Sequence, residues 1–364
     1  MILHRYFARR FFWVFMSILG IFALFMGLVD FVEQLRQLGG DASFGQVVQV
    51  TLLRLPEGMY EILPLVMILA TASLFLMLAR SSELVVVRAA GRSGLAALMG
   101  PVMVALVISG ITVAMLNPLV AATSKRASDL SESYESGGAS VLSIGREGLW
   151  LRQGGPRGQT VIRADSANPD ATVLYDVSFI AYAPDGGPIR RIEAAEAQLE
   201  DGAWVLHDAK AWPLSTGINP ETGARTHAEL RVESDLTQDG IRDRFGKPSA
   251  IPIWDLPAFI AGLEEAGFSA RRHQVWFQME LARPIFLIAM VLVAAGFTMR
   301  PARLGRTGLY VLAAVLLGFG LYYVRNFAQI MGENGQLPPI LAAWTPPVAS
   351  LLLALGLVLQ MEDG

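Results

Sequence analysis

Cysteine is absent from this 364-residue chain, which excludes disulfide bridges, thiolate catalysis and cysteine-ligated metals. Lysine is nearly absent too. Lys125, Lys210 and Lys247 are the whole supply, and none of them ends the glycine-rich loop whose amides and lysine would cradle a nucleotide's phosphates. ATP hydrolysis by this chain alone is therefore not expected. His4, His207, His227 and His273 are scattered without metal-ligand spacing, and neither a His-Glu-x-x-His helix nor a Gly-x-Ser-x-Gly elbow occurs. Charge is also sparse, at 17% of residues with a formal net charge of -3, so no basic excess points to nucleic acid. No internal repeat or low-complexity segment stands out.

What the chain does have is apolar surface. Hydrophobic residues make up 53% and the mean hydropathy is +0.45, the range of an integral membrane protein. A bilayer core needs about 20 apolar residues in helix, and six stretches approach or meet that: 11–29, 62–79, 95–116, 285–299, 309–324 and 341–359. The fourth is short unless its helix starts earlier, near Gln274, and takes in Glu280 and Arg283. The basic start and apolar run of residues 1–30 look like a signal peptide, but the run is too long and no small-residue cleavage site follows. It is predicted to be a retained helix.

Basic residues fix the expected orientation. Arg5, Arg9 and Arg10, the loop with Arg80, Arg88 and Arg92, and the loop with Arg300, Arg303 and Arg306 fall on one side, which the positive-inside bias makes cytoplasmic together with both termini. The segment 117–272 then lies on the other side. Its alternation of Val173, Tyr175, Val177 and Phe179 against Asp176 and Ser178 predicts strands, and turn clusters such as Ser-Ala-Asn-Pro-Asp-Ala separate several of them. The predicted fold is thus an α-helical integral membrane protein with six transmembrane helices and an all-β, jellyroll-like domain inserted between helices 3 and 4. Its predicted divisions are 1–116, 117–272 and 273–364.

Three places combine polarity with apolar surroundings. In Arg-Ser-Ser-Glu-Leu-Val-Val-Val-Arg-Ala-Ala-Gly-Arg-Ser-Gly, residues 80–94, Ser81 or Ser82 suits a helix N-cap, Glu83 suits the first turn and Gly91 suits the end. Leu84, Val85, Val87 and Arg88 fall around this short helix. It is either a plain connection satisfying the positive-inside bias or a coupling helix docking on a cytoplasmic motor. At the far end of the first helix, Asp30, Glu33 and Arg36 recur every three residues along nearly one face. They read as an interfacial boundary with a Glu33–Arg36 pair, or as a set meeting the charged head of an amphipathic ligand. Glu280 with Arg283, and Arg325 with Asn326 and Gln329, lie within or beside apolar runs, where charge is costly unless paired or facing a cavity. A structural pair is the preferred reading of the first set. Arg325 is within snorkelling reach of the interface, so structural and ligand roles both stand.

Taken together, Asp-Phe-Val-Glu-Gln-Leu-Arg-Gln-Leu-Gly-Gly (30–40), the segment 80–94 with the apolar helix before it, and the order of three helices, strand domain and three helices resemble the LptF/LptG family of lipopolysaccharide export permeases. Ser-Glu-Leu-Val-Val-Val with Ala-Ala-Gly, within 82–91, is the most specific part. Phe31–Leu35 and the short C-terminal tail lean towards the LptG branch. The resemblance implies a half-transporter paired with LptF, driven by an LptB dimer that uses ATP and Mg, joined by LptC at a lateral gate, and passing lipopolysaccharide through jellyroll domains towards LptA. This chain itself would bind no cofactor, carry no catalytic or metal site, and sit multi-pass in the bacterial inner membrane with the large domain in the periplasm. Residues 81–91 would form the coupling helix, with Ser82, Glu83, Leu84, Val87, Arg88 and Gly91 as its expected residues and Glu83 as the charged contact. Asp30, Glu33, Arg36, Arg126 and Arg325 are the candidate head-group or gate residues, and inward Val177 and Phe179 the candidate lipid groove. Asp30 departs from the basic pattern expected near the end of the first helix, leaving Arg36 alone to keep it; Arg54, Arg126 or Arg325 are the substitutes. The rival functions are a permease for another lipid-linked cargo such as lipoprotein, whose usual four-helix topology differs, and a membrane hydrolase or assembly factor that works without ATP.

Overall fold

The computed structural model describes residues 2–37, 44–135, 142–145, 148–155, 158–168, 172–183, 187–200, 202–214, 219–234, 247–265, 269–299 and 307–363. The chain divides into two compact units, one formed by 1–130, 252–254 and 271–364, the other by 131–251 and 255–270.

The first unit is helical. Its elements are α1 (Ile2–Gln37), α2 (Phe44–Arg80), the short α3 (Glu83–Ala89), α4 (Gly94–Ile111), a π-helical turn (Thr112–Leu116) and, after it, α5 (Asn117–Glu135), whose last turn belongs to the other unit. It resumes with α7 (Arg271–Thr298), α8 (Thr307–Glu333) and α9 (Pro339–Asp363). Among the described residues six helical spans are long and apolar enough to cross a membrane, the third running unbroken from Gly94 to Ser128 through the π turn. Each helix outruns its apolar stretch because polar first and last turns cost nothing at an aqueous interface. The fourth span starts at Arg271 and carries Glu280 and Arg283, as the short run 285–299 requires. The loop 300–306 lies outside the described residues.

Helix α7 is the centre of this unit. Seventeen of its residues are buried, packed against α2, α4 and α9 in one core that also holds Phe7, Phe11 and Phe15 of α1. By contrast α1 and α8 leave long apolar rows open, among them Ile21, Leu24 and Leu28 on α1 and Leu312, Leu316 and Tyr323 on α8. Prolines sit inside four of the helices, at Pro56 and Pro64, Pro101, Pro284, and Pro346 and Pro347. Each removes a backbone donor, so a carbonyl one turn earlier needs another partner or goes without.

The second unit holds β1 (Leu142–Gly145), β2 (Gly148–Gly155), β3 (Gly158–Ala167), β4 (Val173–Tyr182), β5 (Pro188–Glu200), β6 (Ala203–Pro213), β7 (Arg225–Glu233) and α6 (Leu256–Glu265). The strands form one antiparallel sheet in chain order. One face carries the core, with Leu151, Ile162, Phe179, Ile192, Trp204 and Leu206, closed by Leu263 with Phe259 and Ile260 of α6.

The strict alternation expected of β4 does not hold along its length. Leu174 is buried, Tyr175 and Asp176 are exposed, and burial returns at Val177 and Phe179. Asp176 has φ 50°, a left-handed conformation that aspartate tolerates, and passing through it shifts the parity of the side chains by one. The same shift recurs in β3 from Ala164 to Ala167, in β5 from Ala194 to Ala197 and in β6 from Leu206 to Ala209, where Asp208 has φ 51°. The pairings at Asp165, Asp176, Ala195 and Asp208 drop out of the ladder while the register on either side continues. Four neighbouring strands therefore change face along one line.

Candidate functional site

Helix α3 begins after Ser82, which has φ 58°, and accepts backbone hydrogen bonds from Val85 and Val86 at its carbonyl. Ser81 does not cap the helix. Its single hydroxyl proton has two acceptors within reach, Glu83 Oε1 at 2.8 Å and the Met77 carbonyl at 3.0 Å. Gly91, at φ 71°, ends the segment while the Arg92 amide closes on the Val87 carbonyl at 3.2 Å, the left-handed exit that glycine adopts without a Cβ penalty. Leu84 and Val87 are buried in the helical core, whereas Val85 and Val86 are 61% and 67% exposed. The side chain of Arg88 lies outside the described residues.

Glu83 faces its own chain. Arg10 Nη1 of α1 donates to both carboxylate oxygens at 2.7 and 2.9 Å, and Tyr6 Oη donates to Oε2 at 3.0 Å. Burial works to raise the carboxyl's pKa, but the bonds from Arg10, Ser81 and Tyr6 outweigh it and hold the group below the usual glutamate range. A folded pKa below the unfolded one means that the contact contributes fully above the unfolded value and is lost as pH falls through the lower folded value. A carboxyl 13C NMR titration of Glu83 is expected to have its midpoint below that of free glutamate, and Arg10→Gln to move it upward. A native midpoint at the free value would refute the contact.

At the C-terminal end of α1, Arg36 Nη2 lies 3.2 Å from Glu33 Oε1, an exposed i,i+3 pair. Asp30 does not join that pair; it lies in the field of Arg54 and Glu57 on α2. Glu57 in turn accepts a bond from Ser124 Oγ of α5 at 2.9 Å. Arg126 is exposed on α5. Arg325 is only 7% exposed and stacks its guanidinium 5.4 Å from the Phe286 ring of α7, so it stays inside the bundle. In the strand unit, Val177 and Phe179 are packed in the closed core, Phe179 edge-on to Trp204 at 6.4 Å. On the opposite face a shallow depression of about 820 Å³ runs past Trp150, Arg163, Arg191, Lys210 and Trp212.

A buried polar cluster links four elements, and two of its members, Tyr60 and Asn117, gave no signal in the sequence. Arg283 Nη2 donates to Glu280 Oε1 at 2.8 Å. Its Nη1 donates to the Tyr60 carbonyl at 3.2 Å, the acceptor left over because Pro64, four residues on, has no N–H. The guanidinium also lies 3.8 Å from the Tyr60 ring centroid, a cation–π contact in a desolvated place. Tyr60 Oη donates to Glu280 and receives Asn117 Nδ2 at 3.3 Å. Asn117 stands where the π turn ends, and its Oδ1 accepts the Ile253 amide at 2.9 Å, while Trp254 Nε1 donates to the Ala114 carbonyl within the turn at 3.2 Å. A π turn interrupts the regular helix ladder, and such turns recur at functional places.

Among the described residues no group of acidic or histidine side chains is arranged to hold a metal. The chain thus offers membrane helices, a strand unit and a short helix with an exposed apolar face. Comparison with known proteins agrees with that architecture. Over 360 residues the chain is 27% identical to "Lipopolysaccharide export system permease protein LptG" of Haemophilus influenzae, covering 95% of this chain and 97% of that one. To the protein of the same name from Escherichia coli K12 it is 24% identical over 364 residues, covering 99% and 98%. The family described as "Lipopolysaccharide export system permease LptF/LptG" matches residues 5–360, helices and strand unit alike, and the chain belongs to it.

Proposed function

We propose that this chain is one permease half of an ATP-driven exporter that takes lipopolysaccharide from the inner membrane and passes it towards the outer membrane. The observation that carries the reading is α3: seven residues between two spans, anchored by Leu84 and Val87 and presenting Val85 and Val86 outward, in a chain without a phosphate loop. An exposed pair of valines on a rigid connector suits insertion into a groove of a cytoplasmic ATPase. On this reading LptB is that ATPase, as a dimer. LptF is the second permease half, LptC joins at the membrane, and the strand unit stands in the periplasm in line with LptA. Both termini are cytoplasmic, following the basic residues of α1 and α3. No bond is made or broken by this chain; ATP binding and hydrolysis move α3, and the helices it touches expel the lipid.

The test is co-expression with LptF and LptB, followed by LptB recovery, ATPase rate and lipopolysaccharide release in nanodiscs. Val85→Asp with Val86→Asp is expected to cut LptB recovery at least about tenfold, the loss of an apolar hot spot worth more than 1.4 kcal/mol. Wild-type protein that recovers no LptB, or a double variant with unchanged recovery and release, would sink the reading.

A further inference from the structure

The third span carries an apolar ridge along one side. Met99, Met103, Val107, Ile111 and Met115 recur every four residues through α4 and the π turn, and each is more than half exposed. At the end of this ridge the chain returning from the strands lies against the helix. Trp254 Nε1 donates to the Ala114 carbonyl at 3.2 Å, an acceptor left over because the residue four positions on is Pro118, which has no N–H. Beside it the Ile253 amide, bonded to Asn117 Oδ1 at 2.9 Å, fixes the backbone. The indole's one polar atom is thus spent on the helix while Trp254 stays 67% exposed, so the rest of its ring faces outward as apolar surface.

Three helices put this point at one depth. From Gly94 to Ala114 on the third span, from Arg80 back to Tyr60 on the second and from Arg10 to Asp30 on the first there are about 20 residues, or roughly 30 Å of helix, the thickness of a bilayer's hydrocarbon core. The near ends are level because Arg10 meets Glu83, just after Arg80. The far ends are level because Tyr60 receives Asn117 and Asp30 lies in the field of Glu57. We propose that Trp254 and Met115 form a lipid-contact surface in which the indole rests in the head-group layer of the leaflet opposite α3 and seats the returning chain on the bilayer. Phospholipid is the occupant because the five side chains of the ridge carry no charge, and because the ridge ends in an indole where hydrocarbon gives way to head groups, the depth that tryptophan favours. The proposal needs the chain to cross a membrane and does not depend on which ATPase drives it.

Brominated phosphatidylcholine tests the placement. In proteoliposomes the emission of Trp254, taken as wild type minus Trp254→Phe, is expected to fall at least about twofold when the lipid carries bromine, and further for bromine near the head group than for bromine near the chain end. A nitroxide at position 115 (Met115→Cys), the only thiol in a chain without cysteine, leaves Trp254 in place and provides a second arm. It should collide at least about twofold more with dissolved oxygen than with a water-soluble nickel chelate, as a site at the hydrocarbon edge does, both in the chain alone and after co-expression with LptF and LptB. Emission that resists both brominated lipids and is quenched by aqueous acrylamide would put Trp254 in water and overturn the proposal. So would a nitroxide that favours oxygen in the chain alone and loses both collision partners once LptF is present, because the face would then belong to a protein neighbour. Should the chain recover neither LptF nor LptB, the export reading falls, and quenching with the chain alone decides the lipid contact.

Discussion

Glu280→Leu is expected to be the most damaging single change in the membrane unit, lowering stability by about 3–5 kcal/mol, the usual cost of stranding one partner of a buried ion pair. Glu280 is fully buried and Arg283 nearly so. Removing the carboxylate leaves the Arg283 guanidinium, among the described residues, with the Tyr60 carbonyl and ring, takes away the acceptor of Tyr60 Oη, and leaves Arg325, already in the field of Arg283, without the opposing charge that Glu280 supplies. The double variant Glu280→Leu with Arg283→Met is expected to recover most of the loss, since a well-packed apolar pair of similar volume replaces a buried ion pair at little cost. Thermal unfolding of the purified chain in detergent measures both. A Glu280→Leu protein that melts with wild type would show that the pair is not desolvated as described.

The second large effect is expected at Gly100. A Cβ there would lie 2.6 Å from the His4 carbonyl oxygen and 3.0 Å from the Ala8 amide nitrogen, both backbone atoms of α1. No rotamer change relieves such a clash, so even alanine drives α1 and α4 apart. Small residues permit this kind of backbone approach between membrane helices, and overfilling a packed contact costs about 1–3 kcal/mol. Gly110 on the same helix is the matched control, because a Cβ there meets nothing within 4 Å. Gly100→Ala is expected to lower the melting temperature and to raise the mobility of a spin label attached at position 86 (Val86→Cys), since the displaced α1 carries with it Tyr6 and Arg10, which hold Glu83. Gly110→Ala should do neither, and equal behaviour of the two variants would remove the argument.

Membrane spans were legible because a bilayer imposes one length and one composition, and α3 was legible because its turn residues are local signals. What stayed hidden needed the third dimension. Tyr60 meets Glu280 across 220 positions and Asn117 across 57, so nothing near any of them marks the cluster. Glu83 was readable as important, but its direction was not, because Arg10 lies 73 positions earlier. Arg325 looked free to snorkel from its distance to the helix end; the Phe286 ring and the Glu280–Arg283 pair instead give it surroundings inside the bundle. In the sheet, a period of two predicts strands correctly and then assigns Tyr175 to the wrong face, since one left-handed aspartate reverses the count.

Residues 252–254 belong to the helical unit although the chain on both sides belongs to the strand unit. The polypeptide therefore passes between the units four times, where a simple insertion would need only two crossings. For anyone dissecting the protein, this means that no pair of cuts separates it cleanly. A fragment excised between Leu130 and Arg271 takes along Ile253 and Trp254 but abandons the Asn117 side chain and Ala114 carbonyl that receive them. The uncovered Ile253, only 2% exposed in the intact chain, and the unfilled seat on the helices would each be new sticky surface, so an isolated strand unit has to be redesigned at this point rather than merely trimmed.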